Sequence, residues 1–149
     1  MIKAYLCKLN ITMLWFYKRM NWRYYLKNYW PSLLLVATVW YLSLFPISQP
    51  PIVEDVPFFD KWEHMLMYAV LCAVIWADYW RLHRHGSWSW LRLTVWGWLA
   101  PVLMGGLLEL LQRYCTGGLR SGEWMDFFAD ALGATMLCLV GRLLLRPKA

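Results

Sequence analysis

Three groups of polar residues in this sequence combine the spacing of a helical face with the side-chain types of a binding or catalytic site. They are Asp60–His64–Tyr68, Glu109–Gln112 and Asp126–Asp130. Residues three, four or eight apart share a helical face, so a helix would present each group together. Carboxylates and an imidazole can exchange protons or hold a divalent cation, and a phenol or an amide can bind a ligand by hydrogen bonds.

Two cations and a further carboxylate lie beside these groups. Lys61 follows Asp60, and the glycine-containing segment CTGGLRSGEW supplies Arg120 and Glu123. Lysine and arginine side chains bind phosphate or carboxylate, and arginine can do so with two hydrogen bonds. The predicted ligand-binding set is therefore Asp60, Lys61, His64, Tyr68, Glu109, Gln112, Arg120, Glu123, Asp126 and Asp130.

The composition predicts a membrane protein. Of the 149 residues, 60% are hydrophobic and 16% are charged, whereas about a quarter are charged in a typical soluble domain. The surplus apolar surface is expected to face membrane lipid. In such a chain the formal charge of +6 indicates contact with anionic head groups rather than nucleic acid. The four cysteines lack metal-site spacing and are interpreted as core residues, so they predict no metal or cofactor.

Four stretches are long and apolar enough to cross a bilayer, which takes roughly 20 helical residues. They run from about Trp30 to Ile47, Met65 to Trp80, Trp88 to Leu111 and Met125 to Leu145. Tryptophan and tyrosine gather at their ends, as expected at the head-group layer. The predicted fold class is all-α, an integral membrane bundle of four transmembrane helices over residues 29–149.

The distribution of charge predicts the orientation of this bundle. Basic residues precede the first span, separate the second from the third and follow the fourth, whereas the loop after the first span is acidic. The positive-inside rule therefore places both termini in the cytoplasm. The loops at about residues 48–64 and 112–124 then face outward, which puts all three polar groups at one membrane surface.

Residues 1–28 form a separate basic segment, for which two interpretations stay open. The segment has too few consecutive apolar residues to span and no small-residue cleavage site, so a cleaved signal peptide is not expected. It either lies on the inner leaflet as an amphipathic segment or reflects a misassigned start, with translation beginning at Met20. Mass spectrometry of the native N-terminus separates the two.

The polar residues allow three roles. In the first, they form a network that fastens the helix ends, for example through an Arg120–Asp126 ion pair. In the second, they line an outward pocket that binds an anionic head group. In the third, they catalyse hydrolysis or group transfer, with His64 as general base, Asp60 assisting it, and a carboxylate such as Asp126 as acid. A divalent ion held by carboxylates and His64 would suit that chemistry, although the spacing matches no established metal signature.

Two motifs resemble those of the VanZ-like family. The stretch DKWEHMLMYAVL resembles its first motif, with Asp60, Lys61, His64 and Tyr68 in the corresponding places. The stretch ELLQ and a following Arg-x-x-acid-x-x-Asp segment resemble its second motif. The matching positions here are Glu109, Gln112, Arg120, Glu123, Asp126 and Gly133, and the sequence departs from the pattern at Asp130, where the family usually has Asn. An ionised Asp only accepts hydrogen bonds, so Asp130 is expected to be protonated or to face Lys61, Arg120 or a bound cation.

The resemblance covers about residues 30–145 and implies a small multi-pass protein of the bacterial cytoplasmic membrane. It also implies a role in the cell envelope linked to glycopeptide resistance, teicoplanin in particular. The partners it implies are membrane lipid and a lipid-linked or cell-wall precursor. The expected alternatives are a membrane hydrolase or transferase and a structural component of a membrane complex.

Overall fold

The computed structural model describes residues 22–45, 57–86, 88–118 and 121–145, and every element in these ranges is helical. The helices are α1 (Trp22–Asn28), α2 (Trp30–Leu44), α3 (Phe59–His83), α4 (Trp90–Cys115) and α5 (Trp124–Leu144). The chain divides into two compact units, Met1–Trp30 and Pro31–Ala149. The short helix α1 belongs to the first unit, and the polar groups belong to the second. Most of the predicted segment 1–28 lies outside the described residues.

Three of these helices are long and apolar enough to cross a membrane. Helices α3, α4 and α5 have 25, 26 and 21 residues, and at 1.5 Å per residue each can cover a hydrocarbon layer about 30 Å thick. Helix α2 has 15 residues and is therefore only about 22 Å long. The all-helical fold class is confirmed, and three of the four expected spans correspond to helices that are long and apolar enough to cross a membrane; the count of four spans stays a prediction.

The observed helix ends differ from the predicted ones at the polar surface. Helix α3 begins at Phe59 and α4 continues to Cys115, so the predicted loops 48–64 and 112–124 are both too long. The cause is that polar residues continue the helical backbone beyond the apolar stretch. Asp60, Lys61 and His64 consequently lie on the first turns of a helix rather than in a loop.

The exterior of the helices is apolar, as lipid contact requires. Large hydrophobic side chains are exposed along each of the long helices, which a water-soluble monomer avoids as a continuous surface. Examples are Leu66 and Val70 on α3, Leu103 and Leu107 on α4, and Phe128, Leu132, Met136 and Leu139 on α5. This surface supports the assignment of the unit as a membrane domain.

Helix α3 is the central element of the unit. It packs mainly against α5, and its Tyr68 and Leu71 also form a buried cluster with Val39 of α2 and Leu108 of α4. A second cluster, at the other end of the bundle, contains Trp76, Tyr79, Leu93 and Cys138. The two clusters fix the relative heights of the helices and hence the level at which their polar ends meet.

A break in the regular hydrogen bonding of α4 is stabilised by α3. The turn Val95–Leu99 is a π-helix, and Pro101 has no N–H to donate to the carbonyl of Gly97 four residues earlier. The indole Nε1 of Trp76 donates to that carbonyl instead, at 3.0 Å. A side chain at position 97 would collide with the same indole. Gly97 therefore makes room for the indole, and Pro101 leaves the carbonyl free to accept its hydrogen bond.

The end of the bundle opposite the polar groups is basic. Arg81, Arg84, Arg92 and Arg142 lie there on α3, α4 and α5 or directly after α3. The predicted local ion pair is confirmed, with Arg81 Nη2 3.0 Å from Asp78 Oδ1. Asp78 also accepts a 2.7 Å hydrogen bond from the hydroxyl of Ser32, which attaches α2 to α3.

The close approach of α3 and α5 generates the first prediction. An added Cβ at Gly133 would collide with the backbone carbonyl of Met65, and a backbone atom cannot move aside as a side chain can. We expect Gly133→Ala to destabilise the protein by roughly 3 kcal/mol, at the upper end of overpacking costs. Thermal unfolding in detergent measures this, with Gly86→Ala as the control, because an added Cβ there meets nothing within 4 Å. Equal stability of the two variants would contradict the packing described.

Candidate functional site

One end of each long helix contributes to a single polar cluster. The antiparallel order of the helices brings the first turns of α3 and α5 beside the last turns of α4. We call the resulting group the polar cluster; it consists of Asp60, Lys61, His64, Tyr68, Glu109, Glu123, Asp126 and Asp130. The expected alignment of Asp60, His64 and Tyr68 along one face of α3 is confirmed by the start of that helix at Phe59.

The first half of the polar cluster surrounds Lys61 and is called the lysine half. Lys61 Nζ lies 2.7 Å from Asp60 Oδ2, 2.8 Å from Glu123 Oε2 and 2.6 Å from Asp126 Oδ1. Its partners come from α3, from the N-terminal cap of α5 and from the first turn of α5. One ammonium group therefore joins two helices and forms ion pairs with three carboxylates.

The second half contains His64, Glu109 and Asp130 and is called the histidine half. His64 Nδ1 lies 3.0 Å from Asp130 Oδ1, and one ligand atom from each of the three residues lies within 4.8 Å of the others. Glu109 and Asp130 are buried, and His64 is half-buried. The imidazole thus contacts one buried carboxylate, that of Asp130, and lies near a second, that of Glu109, while Lys61 is engaged in the other half.

Glu109 also organises the loop that enters α5. Its Oε2 accepts a 2.8 Å hydrogen bond from the backbone N–H of Glu123, the residue that precedes the first turn of α5. An added Cβ at Gly122 would collide with the carbonyl of Glu109, so the loop lies directly against α4. Carboxylates at this position are stabilised by the positive end of the helix dipole of α5.

Tyr68 places a hydroxyl group beside the histidine half. Its side chain is 1% exposed, and its hydroxyl has no hydrogen-bond partner among the described residues. The absence of a side chain at Gly105 makes room for it. A Cβ at position 105 would lie 2.7 Å from Asp130 Oδ2 and 3.2 Å from the Tyr68 hydroxyl.

Gln112 has a different partner from the rest of the predicted set. Its Nε2 donates a 2.8 Å hydrogen bond to the backbone carbonyl of Ser43, one of the last four carbonyls of α2, which have no intrahelical donor. Gln112 therefore completes the end of α2, and its predicted ligand-binding role stays a prediction. The sequence correctly predicted that Gln112 lies at this end of the bundle. The spacing between Glu109 and Gln112 carries no information about the contact of Gln112 with α2.

The contacts bear on two further expectations. The carboxylate that meets His64 is Asp130 rather than Asp60, because Asp60 is bound to Lys61. Lys61 is one of the cations expected to face Asp130, but it pairs with Asp126. Arg120 lies outside the described residues, so its expected pair with Asp126 stays a prediction.

An open cavity adjoins the polar cluster at the α4–α5 loop. It has a volume of about 520 Å³ and is lined by Arg113, Ser121, Gly122, Glu123, Trp124 and Met125. A neighbouring cavity of about 270 Å³ shares four of these residues and reaches Glu109. Arg113 forms no ion pair with the described part of the chain, so its guanidinium is available at the cavity wall.

The chemistry of the polar cluster follows from its charge balance. Five carboxylates meet one lysine and one histidine, and uncompensated charge away from water is costly. The lysine half has its cation, whereas the histidine half has only the imidazole. The cluster can therefore hold a proton or a metal ion, and Arg113 provides a contact for an anion beside it.

Sequence reasoning missed Arg113 and Ser43 as contributors to this end of the molecule. Arg113 follows Gln112 directly, but the predicted end of the third span near Leu111 left it in a loop without a defined direction. The continuation of α4 to Cys115 fixes its position at the cavity. Ser43 contributes only its backbone carbonyl. Every residue has one, so the type of side chain at position 43 does not predict this contact.

No protein-family model, curated protein or solved structure matches this chain. The fold and the site therefore define the class of the molecule by themselves: an all-helical membrane domain with an acidic cluster at one end. The resemblance to the VanZ-like family stays a prediction from the two sequence motifs.

The lysine half generates a prediction in which the same chemical change is made at two of its carboxylates. The Asp126 side chain is 10% exposed and that of Asp60 is 53% exposed, and exposed ion pairs contribute little to stability. We expect Asp126→Asn to lower the free energy of unfolding by about 1–2 kcal/mol, and Asp60→Asn to change it by less than about 0.5 kcal/mol. Denaturation in detergent measures both; a larger loss for Asp60→Asn would contradict the assignment of Asp126 as the principal partner of Lys61.

Proposed function

We propose that this chain is a VanZ-like multi-pass protein of the bacterial cytoplasmic membrane that binds an anionic lipid-linked or cell-wall precursor beside its polar cluster. The observation that carries this proposal is the position of Arg113, which lines the open cavity at the α4–α5 loop and forms no ion pair with the described residues. An arginine can bind a phosphate or carboxylate with two hydrogen bonds.

The proposed ligand is an amphiphile because of the surroundings of the cavity. Trp124 and Met125 line it, and both are exposed at the start of a helix whose outer surface is apolar. An acyl or prenyl chain can lie along that surface while its charged head group meets Arg113. The sequence predicted that Lys61 and Arg120 contact the anion. Among the described residues, we assign this contact to Arg113, because Lys61 is already paired with three carboxylates.

The proposed orientation places the polar cluster at the outer face of the membrane. The basic residues at the opposite end, Arg81, Arg84, Arg92 and Arg142, support it through the positive-inside rule. A site at the outer face can meet cell-wall precursors after they have crossed the membrane. This location agrees with the link to glycopeptide resistance that the family resemblance implies.

A membrane hydrolase is the second candidate, and one contact favours it. With its Nδ1 facing the carboxylate of Asp130 at 3.0 Å, His64 can keep Nε2 as a proton acceptor, the arrangement of a general base oriented by a carboxylate. Asp130 takes the assisting role that the sequence assigned to Asp60. In this candidate, the His64 imidazole accepts a proton from a water molecule, which then attacks a head group bound at Arg113.

Binding of a lipid phosphate tests the proposal. The purified protein in detergent is incubated with a polyprenyl phosphate or with the uncharged polyprenol, and the bound lipid is quantified by native mass spectrometry. We expect the phosphate to bind more tightly, and Arg113→Gln to weaken its binding about tenfold, since a charge-assisted hydrogen bond contributes roughly 1.5–3 kcal/mol.

Arg92→Gln is the matched control, because it removes the same charge at the opposite end of the same helix and is expected to bind as the unmodified protein does. Equal binding of the phosphate and the polyprenol, or equal binding by Arg113→Gln, would refute the proposed anion site. Release of inorganic phosphate during the incubation would favour the hydrolase instead.

A further inference from the structure

We propose that the histidine half of the polar cluster is a binding site for one divalent transition-metal ion, with His64, Glu109 and Asp130 as its ligands. The inference is independent of the proposed lipid ligand, since it uses a different part of the cluster from Arg113. It follows from four features of the described residues: the ligand geometry, the charge balance, an unpaired buried hydroxyl and an internal comparison with the lysine half.

The geometry places three suitable ligand atoms around one point. One nitrogen of His64 and one oxygen each of Glu109 and Asp130 lie within 4.8 Å of one another, and the His64–Asp130 separation is 3.0 Å. Two ligands about 2.1 Å from a tetrahedral zinc ion are about 3.4 Å apart. The hydrogen-bonded pair at 3.0 Å is therefore within a few tenths of an ångström of the spacing of neighbouring ligands of one ion.

The burial of its carboxylates favours a cation in the histidine half. Glu109 is 6% exposed and Asp130 is 1% exposed, and burial of two carboxylates close together is costly without compensation. The other cation of the cluster, Lys61, is held by Asp60, Glu123 and Asp126. A divalent ion would neutralise Glu109 and Asp130 fully while leaving the imidazole neutral, which is the state in which histidine binds metals.

The hydroxyl of Tyr68 supplies the independent indication of a ligand. It is buried and has no hydrogen-bond partner in the described chain, although buried hydroxyl groups almost always have one. A Cβ built on Gly105 would lie 3.2 Å from this hydroxyl and 2.7 Å from Asp130 Oδ2, so both atoms border the same space. A water molecule on the metal ion would give Tyr68 a partner and would complete a site with three protein ligands.

In the lysine half, the repulsion between neighbouring carboxylates is reduced by the ammonium group of Lys61. Its carboxylates, from Asp60, Glu123 and Asp126, also lie within 4.8 Å of one another, but Lys61 Nζ lies within 2.8 Å of each. That position is filled by an ammonium group, so the lysine half is not expected to bind a metal. The two halves thus provide a built-in comparison within one molecule.

The ligand types favour zinc or a similar ion. One imidazole and two carboxylates are a mixed nitrogen and oxygen set, which suits Zn²⁺ and other first-row transition metals, whereas Mg²⁺ and Ca²⁺ prefer oxygen ligands alone. The bound ion would act as a Lewis acid or lower the pKa of its water ligand. It would also offer a positive charge to any anionic group that reaches the cluster.

Metal binding by the chelator-treated protein tests the inference. Co²⁺ is added to the protein in detergent at pH 7.5, and its visible absorption bands report nitrogen and oxygen coordination; Zn²⁺ binding is followed by calorimetry. We expect about one ion per chain. Glu109→Gln, which keeps an oxygen to accept the hydrogen bond from Glu123, is expected to weaken binding on the order of 100-fold, and Asp130→Asn to do the same.

Asp60→Asn is the matched control, because it removes one carboxylate from the lysine half and is expected to keep the affinity for both ions. Thermal unfolding of each variant without metal checks its fold, and Zn²⁺ should raise the melting temperature of the unmodified protein and of Asp60→Asn only. Absence of binding would show that a proton on His64 compensates the carboxylates instead. Equal weakening by all three variants would also overturn the assignment, since it would indicate a nonspecific response to negative charge.

Arg113→Gln separates this inference from the proposed function. The variant is expected to bind Co²⁺ and Zn²⁺ as the unmodified protein does while losing affinity for the lipid phosphate. Loss of lipid binding with retained metal binding supports both assignments. Loss of metal binding in Arg113→Gln would contradict the separation of the two sites.

Discussion

The ion pairs of Lys61 are the interaction on which the polar end of this molecule depends. Three carboxylates from two helices and a loop converge on one ammonium group, at 2.6–2.8 Å. Carboxylates this close together repel one another, and they tolerate the proximity because a cation lies between them. Lys61 thereby fixes the first turn of α3 against the start of α5, and Gly133 lets the same two helices touch at the level of Met65.

The position of Lys61 also determines what the rest of the cluster can do. Since its charge is used by the lysine half, His64 is the only cationic side chain described beside the buried carboxylates of Glu109 and Asp130. The cluster is therefore suited to a cation, and an anionic ligand requires a separate contact. Arg113 provides that contact at the cavity of the α4–α5 loop. The end of the bundle therefore has an acidic interior and a basic residue at its edge.

Much of this arrangement was predictable from the sequence. Helical spacing aligned Asp60, His64 and Tyr68, because the repeat of a helix is fixed by its backbone geometry. Apolar length identified three long helices for the same reason. The partners across helices were not predictable: whether His64 meets Asp60 or Asp130 depends on the rotation and height of α5 against α3. Those quantities are set by contacts such as Met65 with Gly133, which no local pattern encodes.

The division of the cluster into two halves is the central claim, and a pair of double-mutant cycles in detergent tests it most directly. Lys61→Met is combined with Asp126→Asn in one cycle and with Asp130→Asn in the other, and unfolding free energies are measured. We expect a coupling of about 1–3 kcal/mol between Lys61 and Asp126, typical of groups in contact, and a coupling below about 0.5 kcal/mol between Lys61 and Asp130. Equal coupling in both cycles would contradict the account, since it would mean that Lys61 compensates the histidine half as well.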